Sequence, residues 1–370
     1  MLWIPGPTQV RPEILAECAR PAIGHRTKDM TELTERLDPG LRLAFGLAPD
    51  STAHVAVHTA SATGLMEMAV RGAGKRVLSV VNGAFSKRWC QIAGLCGLDC
   101  SQLEVAWGSA VDPAELDRVL SENGPFDAVT VVINETSTGV STPLEPIAAV
   151  MKKHPNTLLM CDVVSYIAGA PIDFDANGID FALAGVQKAF ALPPGLAVFC
   201  ASDRFLERAR NQENRGFYLD PVRILEGHEA RKTPATPSTP LYYALAKQLE
   251  DITNGVTLPS SDAGKTGADA WNARFAKHTR MQARTKEWAA THGCELLPVD
   301  EHASKTVSCI RKGNIDVGKL VAGLAERGYT ISNGYGDLKG ETFRIGHMGD
   351  HTEEGLEELL KAADEVLAAC

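Results

Sequence analysis

The chain predicts an α/β fold, with a large domain on a mainly parallel central sheet and a smaller C-terminal α+β domain. Three observations lead there. Short apolar runs alternate with helical stretches over the first two thirds of the sequence. Most of those runs are apolar at successive rather than alternate positions, as strands covered on both faces require. Past residue 256 the alternation stops, and a long helix precedes two strands and a last helix.

Taken in order, strands are expected at "HVAVHT" (54–59), "RVLSVVN" (76–82), "DAVTVVINET" (127–136), "TLLMCDVVS" (157–165), "FALAGVQ" (181–187) and "LAVFCAS" (196–202). Between them, "SATGLMEMAVRG" and "DPAELDRVLSEN" have helical spacing, and Asp112 with Pro113 suits the N-cap and first helical position of the second. The stretch 231–252 opens extended and proline-punctuated, then becomes a helix. A long helix over about 267–292, strands at "KTVSCI" and "TFRIG", and a helix from about Glu353 complete the order. In a parallel sheet, ligands collect at the carboxyl ends of the strands. Polar residues fall there: Thr59 to Thr63, Asn82, Glu135, Thr136 and Asp162.

Composition narrows the partners. With 370 residues, 44% hydrophobic and 22% charged, the chain suits a soluble globular protein. A net charge of −9 argues against a nucleic-acid surface or an anionic membrane, since both need a basic patch. The start "MLWIPGPTQVRP" lacks the basic and apolar regions of a secretory signal, and no run approaches 18 apolar residues. A cytoplasmic location is the expectation. The nine cysteines form no CxxC pair and are expected as reduced thiols, mostly filling the core. "RGAGKR" and "DAGKTG" miss the phosphate-loop spacing, and neither HExxH nor G-x-S-x-G occurs, so no metal site is expected.

The run "FALAGVQKAFALPPGLAVF" (181–199) puts Lys188 at the end of an apolar strand. Such a lysine is either exposed at the strand's end or kept for its chemistry, since desolvation makes it a nucleophilic amine. Asp162 ends the run "LLMC" and is either a turn carboxylate or the partner of a buried cation. Twenty-six positions separate the two, about one crossover and one strand, so they can stand over neighbouring strand ends. "ASATGLMEMAV" adds a small-residue turn entering a helix, which is either a capped βα turn or an anion site. An anion site, an acid for a pyridinium nitrogen and an imine-forming lysine are what pyridoxal 5′-phosphate (PLP) requires.

These stretches, with "PGPTQVRPEIL", "GHRTKDM", "VVNGAFSKRW", "NETSTGV", "CDVVSYIAGAPIDFDANGIDFALAGVQKAFALPPG" and "GYGDLKGETFRIGHMGD", resemble the class V, fold-type I PLP-dependent aminotransferases, nearest the alanine/serine–glyoxylate (or pyruvate) branch. The resemblance implies residues 1–14 as a segment near the active site, 15–255 as the PLP domain and 256–370 as the small domain. It implies Lys188 as the imine lysine and Asp162 as the partner of the ring nitrogen. Phe85 would stack on the ring, with core packing as the alternative. Ser61, Ala62, Thr63 and Gln187 would hold the phosphate, and Thr136 the ring hydroxyl. Thr233 and Thr236 would be phosphate ligands from the other subunit of a homodimer with shared active sites. Arg344 would take the substrate α-carboxylate, with a surface arginine as the alternative, and Gly6, His25 and Arg26 would lie at the substrate.

The activity implied is a ping-pong transfer of an amino group between a small L-amino acid (alanine or serine) and a 2-oxo acid (glyoxylate or pyruvate). The runner-up is a phosphoserine aminotransferase using 2-oxoglutarate, to which the His25-Arg26 pair is similar. Against it, Ala62-Thr63 stands where that family has a further arginine beside the cofactor turn, and "GDLKGETF" lacks its second His-Arg pair. A desulfurase needs a loop thiolate, and the segment from Ser332 to Phe343 has no cysteine.

Overall fold

The computed structural model describes residues 1–369. Helices α1 (Pro12–Cys18), α2 (Lys28–Glu35) and α3 (Leu37–Phe45) lead into β1 (His54–His58), α4 (Ala62–Ala73), β2 (Arg76–Val81), α5 (Ala84–Leu95) and β3 (Asp99–Glu104). Then come α6 (Pro113–Asn123), β4 (Ala128–Val132), the small hairpin β5 (Asn134–Glu135) and β6 (Val140–Ser141), α7 (Leu144–Met151), β7 (Leu158–Asp162), β8 (Phe181–Gly185) and β9 (Ala197–Ala201). These give a seven-stranded sheet in the order β1-β9-β8-β7-β4-β2-β3. Its β2, β3, β4, β7 and β8 run parallel, and β9 is antiparallel to both neighbours.

Successive strand residues serve opposite faces, and both faces are covered. Val129, Val131, Leu159 and Cys161 join one core, while Ala128, Val132, Leu158 and Met160 join the other. The expected helices stand where the spacing put them: α4 is capped by the Ser61 side chain, and α6 by that of Asp112.

Three features depart from the expectations. The run 127–136 is not one strand: β4 stops at Val132, and Asn134 turns into the hairpin. β3 was not foreseen, because an edge strand reading Asp99-Cys100-Ser101-Gln102-Leu103-Glu104 needs little apolar character. That strand also overturns the reading of every cysteine as a free thiol. β3 carries Cys100 to α5, where it forms a disulfide with Cys90, their Cα atoms 5.7 Å apart.

The chain continues through α8 (Asp203–Arg210), α9 (Pro221–Glu229), α10 (Thr239–Thr253) and α11 (Gly267–Thr291) to β10 (Glu295–Leu296), β11 (Val307–Arg311), α12 (Val317–Glu326), β12 (Ser332–Asn333), β13 (Thr342–Gly346) and α13 (Glu353–Ala368). The second sheet runs β10-β11-β13-β12, all antiparallel, under α11, α12 and α13. The N-terminus belongs to it as well. Trp3 is fully buried in this core, stacks on His351 at 3.8 Å and accepts a hydrogen bond at its carbonyl from Gly346 N–H (2.7 Å). From there the chain crosses to Pro5 and Gly6, against the carboxyl ends of the large sheet. Among the described residues no helix is long and apolar enough to cross a membrane.

Candidate active site

Six strands, β1, β2, β3, β4, β7 and β8, end on one edge of the large sheet, and a cavity of about 270 Å³ lies at all of these ends but that of β3. Its lining includes Gly6, Ser61, Ala62, Thr63, Phe85, Thr136, Asp162, Gln187 and Lys188. Nine of the anticipated residues therefore meet in one place, supplied by segments up to 182 positions apart (Gly6 to Lys188).

Asp162 ends β7, whose register sets it opposite Val132 of β4 and Leu183 of β8. Its carboxyl accepts from Val164 N–H (2.8 Å) and forms no ion pair among the described residues. Burial pushes it up to about 7, and Lys188 draws it only partly back. Lys188 follows β8. Its amine donates to Pro5 O, and burial holds it down at about 8 against the pull of Asp162. A buried amine with a lowered pKa has a larger neutral, nucleophilic fraction near pH 7 than an exposed lysine.

The amine's seat is fixed from both sides. A Cβ on Gly6 would lie 2.7 Å from Lys188 Nζ, and Gly6 has φ +115°, so both space and backbone require glycine. Behind the lysine, the fully buried Arg274 of α11 donates to Ala189 O (2.8 Å) and Ala168 O (3.0 Å) and pairs with Asp350 (2.9 Å).

Phe85 stands in the first turn of α5, its ring centroid 5.9 Å from Lys188 Nζ. That turn is held by Glu135, a fully buried carboxylate that accepts from Phe85 N–H (3.1 Å), Ser86 N–H (2.9 Å) and Ser137 Oγ–H (2.6 Å). An anion at a helix N-terminus is favoured by both the free amides and the dipole. Ser61 caps α4 by accepting from Gly64 N–H (3.3 Å), and the amides of Ala62 and Thr63 have no acceptor among the described residues.

Arg344, on β13, is not part of the cavity lining but is bound to a residue that is. It donates to Thr136 O (3.1 Å) and Asn333 O (3.1 Å), with the Tyr335 ring 5.5 Å from its guanidinium. It is 8% exposed, and no carboxylate within ion-pair distance offsets its burial among the described residues. The surface reading of Arg344 is thereby corrected.

Four anticipated residues stay apart from this cavity. Thr233 and Thr236 line a separate recess with His58, Thr59 and Tyr218, where Thr233 Oγ1 is buried without a partner among the described residues. His25 and Arg26 lie in the loop between α1 and α2, Arg26 exposed.

The cavity also has walls the sequence reading passed over: Arg88, Asn134, Val164 and Ser165. Arg88 sits three positions after Phe85, and that helical spacing was the available signal. It corrects one expectation directly: an arginine does stand beside the turn at Ala62-Thr63, delivered by α5. Asn134 and Ser165 were hidden by reading two runs as unbroken strands.

The family model described as aminotransferase class-V matches residues 22–358. An uncharacterized aminotransferase of Methanocaldococcus jannaschii is 33% identical, covering 94% of this chain and 88% of its own length. A serine–glyoxylate aminotransferase of Methylorubrum extorquens is 30% identical over 96% of this chain and 88% of its own. The crystal structure of an alanine–glyoxylate aminotransferase from Nostoc sp. superposes with a TM-score of 0.87 at 26% identity, covering 99% of this chain and 94% of that one.

Proposed function

The chain belongs to the class-V aminotransferases, and from that premise we propose that it moves an amino group from a small L-amino acid, alanine or serine, to glyoxylate or pyruvate. The observation that carries this reading is Arg344: a buried guanidinium without a carboxylate, bound through Thr136 to the cavity that holds Lys188. A carboxylate brought by a small substrate would complete it, in the paired geometry that arginine supplies.

The family implies pyridoxal phosphate, and the donor set fits it. The cavity offers a desolvated amine, an enclosed carboxylate without a cation, a phenyl ring and two free amides at a helix start. Lys188, Asp162, Phe85, Ser61, Ala62, Thr63, Thr136 and Gln187 would hold the group. When bound, it supplies an aldehyde to receive the amino group and a ring that spreads the charge left at the α-carbon. Asp162 would keep the proton on the ring nitrogen, its anionic form restored by that positive partner. Lys188 would be the general base that takes the donor's α-proton and delivers it away from the α-carbon. Arg344 and Gly6 would fix the donor so that this proton faces Lys188.

We further propose a homodimer in which Thr233 and Thr236 of the partner subunit reach the phosphate and His25 and Arg26 of the partner subunit approach the substrate. Tyr218 and Phe217, 43% and 59% exposed beside the Thr233 recess, support a covered surface there. The division of the chain at 14/15 and 255/256 belongs to the same proposal. Comparing kcat/KM for L-alanine, L-serine, L-aspartate and O-phospho-L-serine with glyoxylate, pyruvate and 2-oxoglutarate tests the substrate reading. Preference for either anionic donor would overturn it.

A further inference from the structure

Arg344 has an aromatic companion outside the cavity lining. The Tyr335 ring centroid lies 5.5 Å from the Arg344 guanidinium carbon and 5.7 Å from the Phe85 ring centroid, tilted 43° to that ring. Tyr335 thus spans from the arginine to an aromatic wall of the cavity. Its backbone holds it there. Tyr335 stands on the turn from β12 back to β13, whose register sets Ser332 against Arg344 and Asn333 against Phe343. Asn333 Oδ1 accepts from Gly334 N–H and Gly340 N–H (2.8 Å each), which closes the turn, while Asn333 O accepts from Arg344 Nε–H. The turn also leans on Trp107, whose ring is 3.6 Å from where a Cβ on Gly336 would lie. Arginine and tyrosine therefore form one unit.

In the proposed transfer, three of the four groups on the donor's α-carbon are assigned: the amine to the cofactor, the carboxylate to Arg344 and the proton to Lys188. The side chain is the fourth. Tetrahedral geometry directs it away from Lys188 and beside the carboxylate, which is where Tyr335 packs on Arg344 and Phe85. We infer that Tyr335 sets the upper size of the donor's side chain, admitting a methyl or hydroxymethyl group and crowding longer apolar chains. The inference rests on the small-donor reading of the cavity and names the residue that enforces it. A rigid ring excludes by shape, and one methylene more or less in an apolar site is worth about ten- to two-hundredfold.

The test compares wild-type holoenzyme with Tyr335→Ala and Tyr335→Phe on L-alanine, L-2-aminobutyrate and L-norvaline, with glyoxylate held constant. Calorimetric titration with propionate and pentanoate gives a second reading, because these acids carry the carboxylate and the chain but no amine to react. In wild type, kcat/KM should fall steeply from alanine to norvaline. Tyr335→Ala should raise the norvaline-to-alanine ratio at least about tenfold and shift affinity toward pentanoate over propionate by a similar factor. Tyr335→Phe should match wild type in both, since the ring and not the hydroxyl fills the space. Equal losses for every donor in Tyr335→Ala, with both ratios unchanged, would mean that the ring merely steadies Arg344, and would overturn the inference. A wild type that turns over none of the three amino acids would instead overturn the small-donor reading, and this role with it, so the two failures are distinct. Far-ultraviolet circular dichroism matching wild type identifies the variants as folded.

Discussion

The Lys188 cavity and the recess at Thr233 come within two residues of each other, at Ser61 and Thr59, yet they are built differently. The cavity takes its walls from the ends of five strands, whose register is fixed by cores on both faces of the sheet. Two of the groups there also have a support behind them, Glu135 under Phe85 and Arg274 behind Lys188. The recess has one strand end, the side chains of Tyr218 and Tyr242, and an irregular proline-punctuated segment, 233–237, with Thr236 exposed. Rigid register places chemistry within one chain. A loop of this kind acquires its role from what it lies against.

The sharpest way to break this contrast is to remove the amine. Lys188→Ala should lower turnover at least about a thousandfold, the scale of losing a general base, and abolish the visible absorbance of the bound cofactor. Retained turnover in that variant would mean the cavity is not the reacting centre. Gly6→Ala attacks the support and leaves the amine. The added Cβ would lie 2.7 Å from Lys188 Nζ at φ +115°, so either the segment or the amine must move. A displacement near 1 Å costs about a hundredfold in kcat, with protein yield preserved. An unchanged kcat would show that the amine's seat is not set by the N-terminal crossing.

How far the sequence could be read follows the same division. Lys188 and Asp162 were legible because each ends an apolar run, and a parallel sheet gathers run ends on one edge. Phe85, Ser61 and Thr136 followed from resemblance, since a lone phenylalanine in "VNGAF" reads equally as core. Arg88 was available from its helical spacing to Phe85 but was not singled out within "VVNGAFSKRW". Asn134 and Ser165 were lost because a ten-residue run looks like one strand, and only the sheet shows that the strand ends at Val132. β3 was invisible for the opposite reason: at an edge, half of a strand's residues need no apolar character. No local pattern carries the meeting of Trp3 with Gly346, which depends on a contact across almost the whole chain.

Asp162 allows a milder test, in which function and stability pull apart. Its folded pKa, about 7, lies above its ordinary 3.8, so the folded state favours the proton. The stabilisation this gives is complete below 3.8, and it is lost as pH rises to about 7, beyond which the buried charge is a constant cost. Asp162→Asn removes that charge while losing the anion that faces Lys188. The cofactor-free variant should therefore melt about 2–4 °C above wild type at pH 8 and level with it at pH 4. A gain at both values would point to packing and away from ionisation. The same variant should be inactive once loaded, because the ring nitrogen loses its acid.

The smallest effect addresses the recess. Thr236→Ala removes one hydrogen bond donated by a hydroxyl to the phosphate and should weaken pyridoxal 5′-phosphate by about tenfold. Single-variant affinity cannot say whose cavity is served, but a mixture can. When Thr236→Ala and Lys188→Ala chains are co-expressed, the hybrid dimer pairs the intact Lys188 of the first chain with the intact Thr236 of the second. If the hydroxyl crosses between subunits, the purified hybrid has one cavity of wild-type affinity and one defective cavity, although neither parent homodimer has a complete one. If Thr236 serves its own chain, the only Lys188 in the hybrid lies beside a missing hydroxyl, and the affinity matches the Thr236→Ala parent. Titrating the hybrid and both parents distinguishes a segment that works only in a pair of chains from one that works alone.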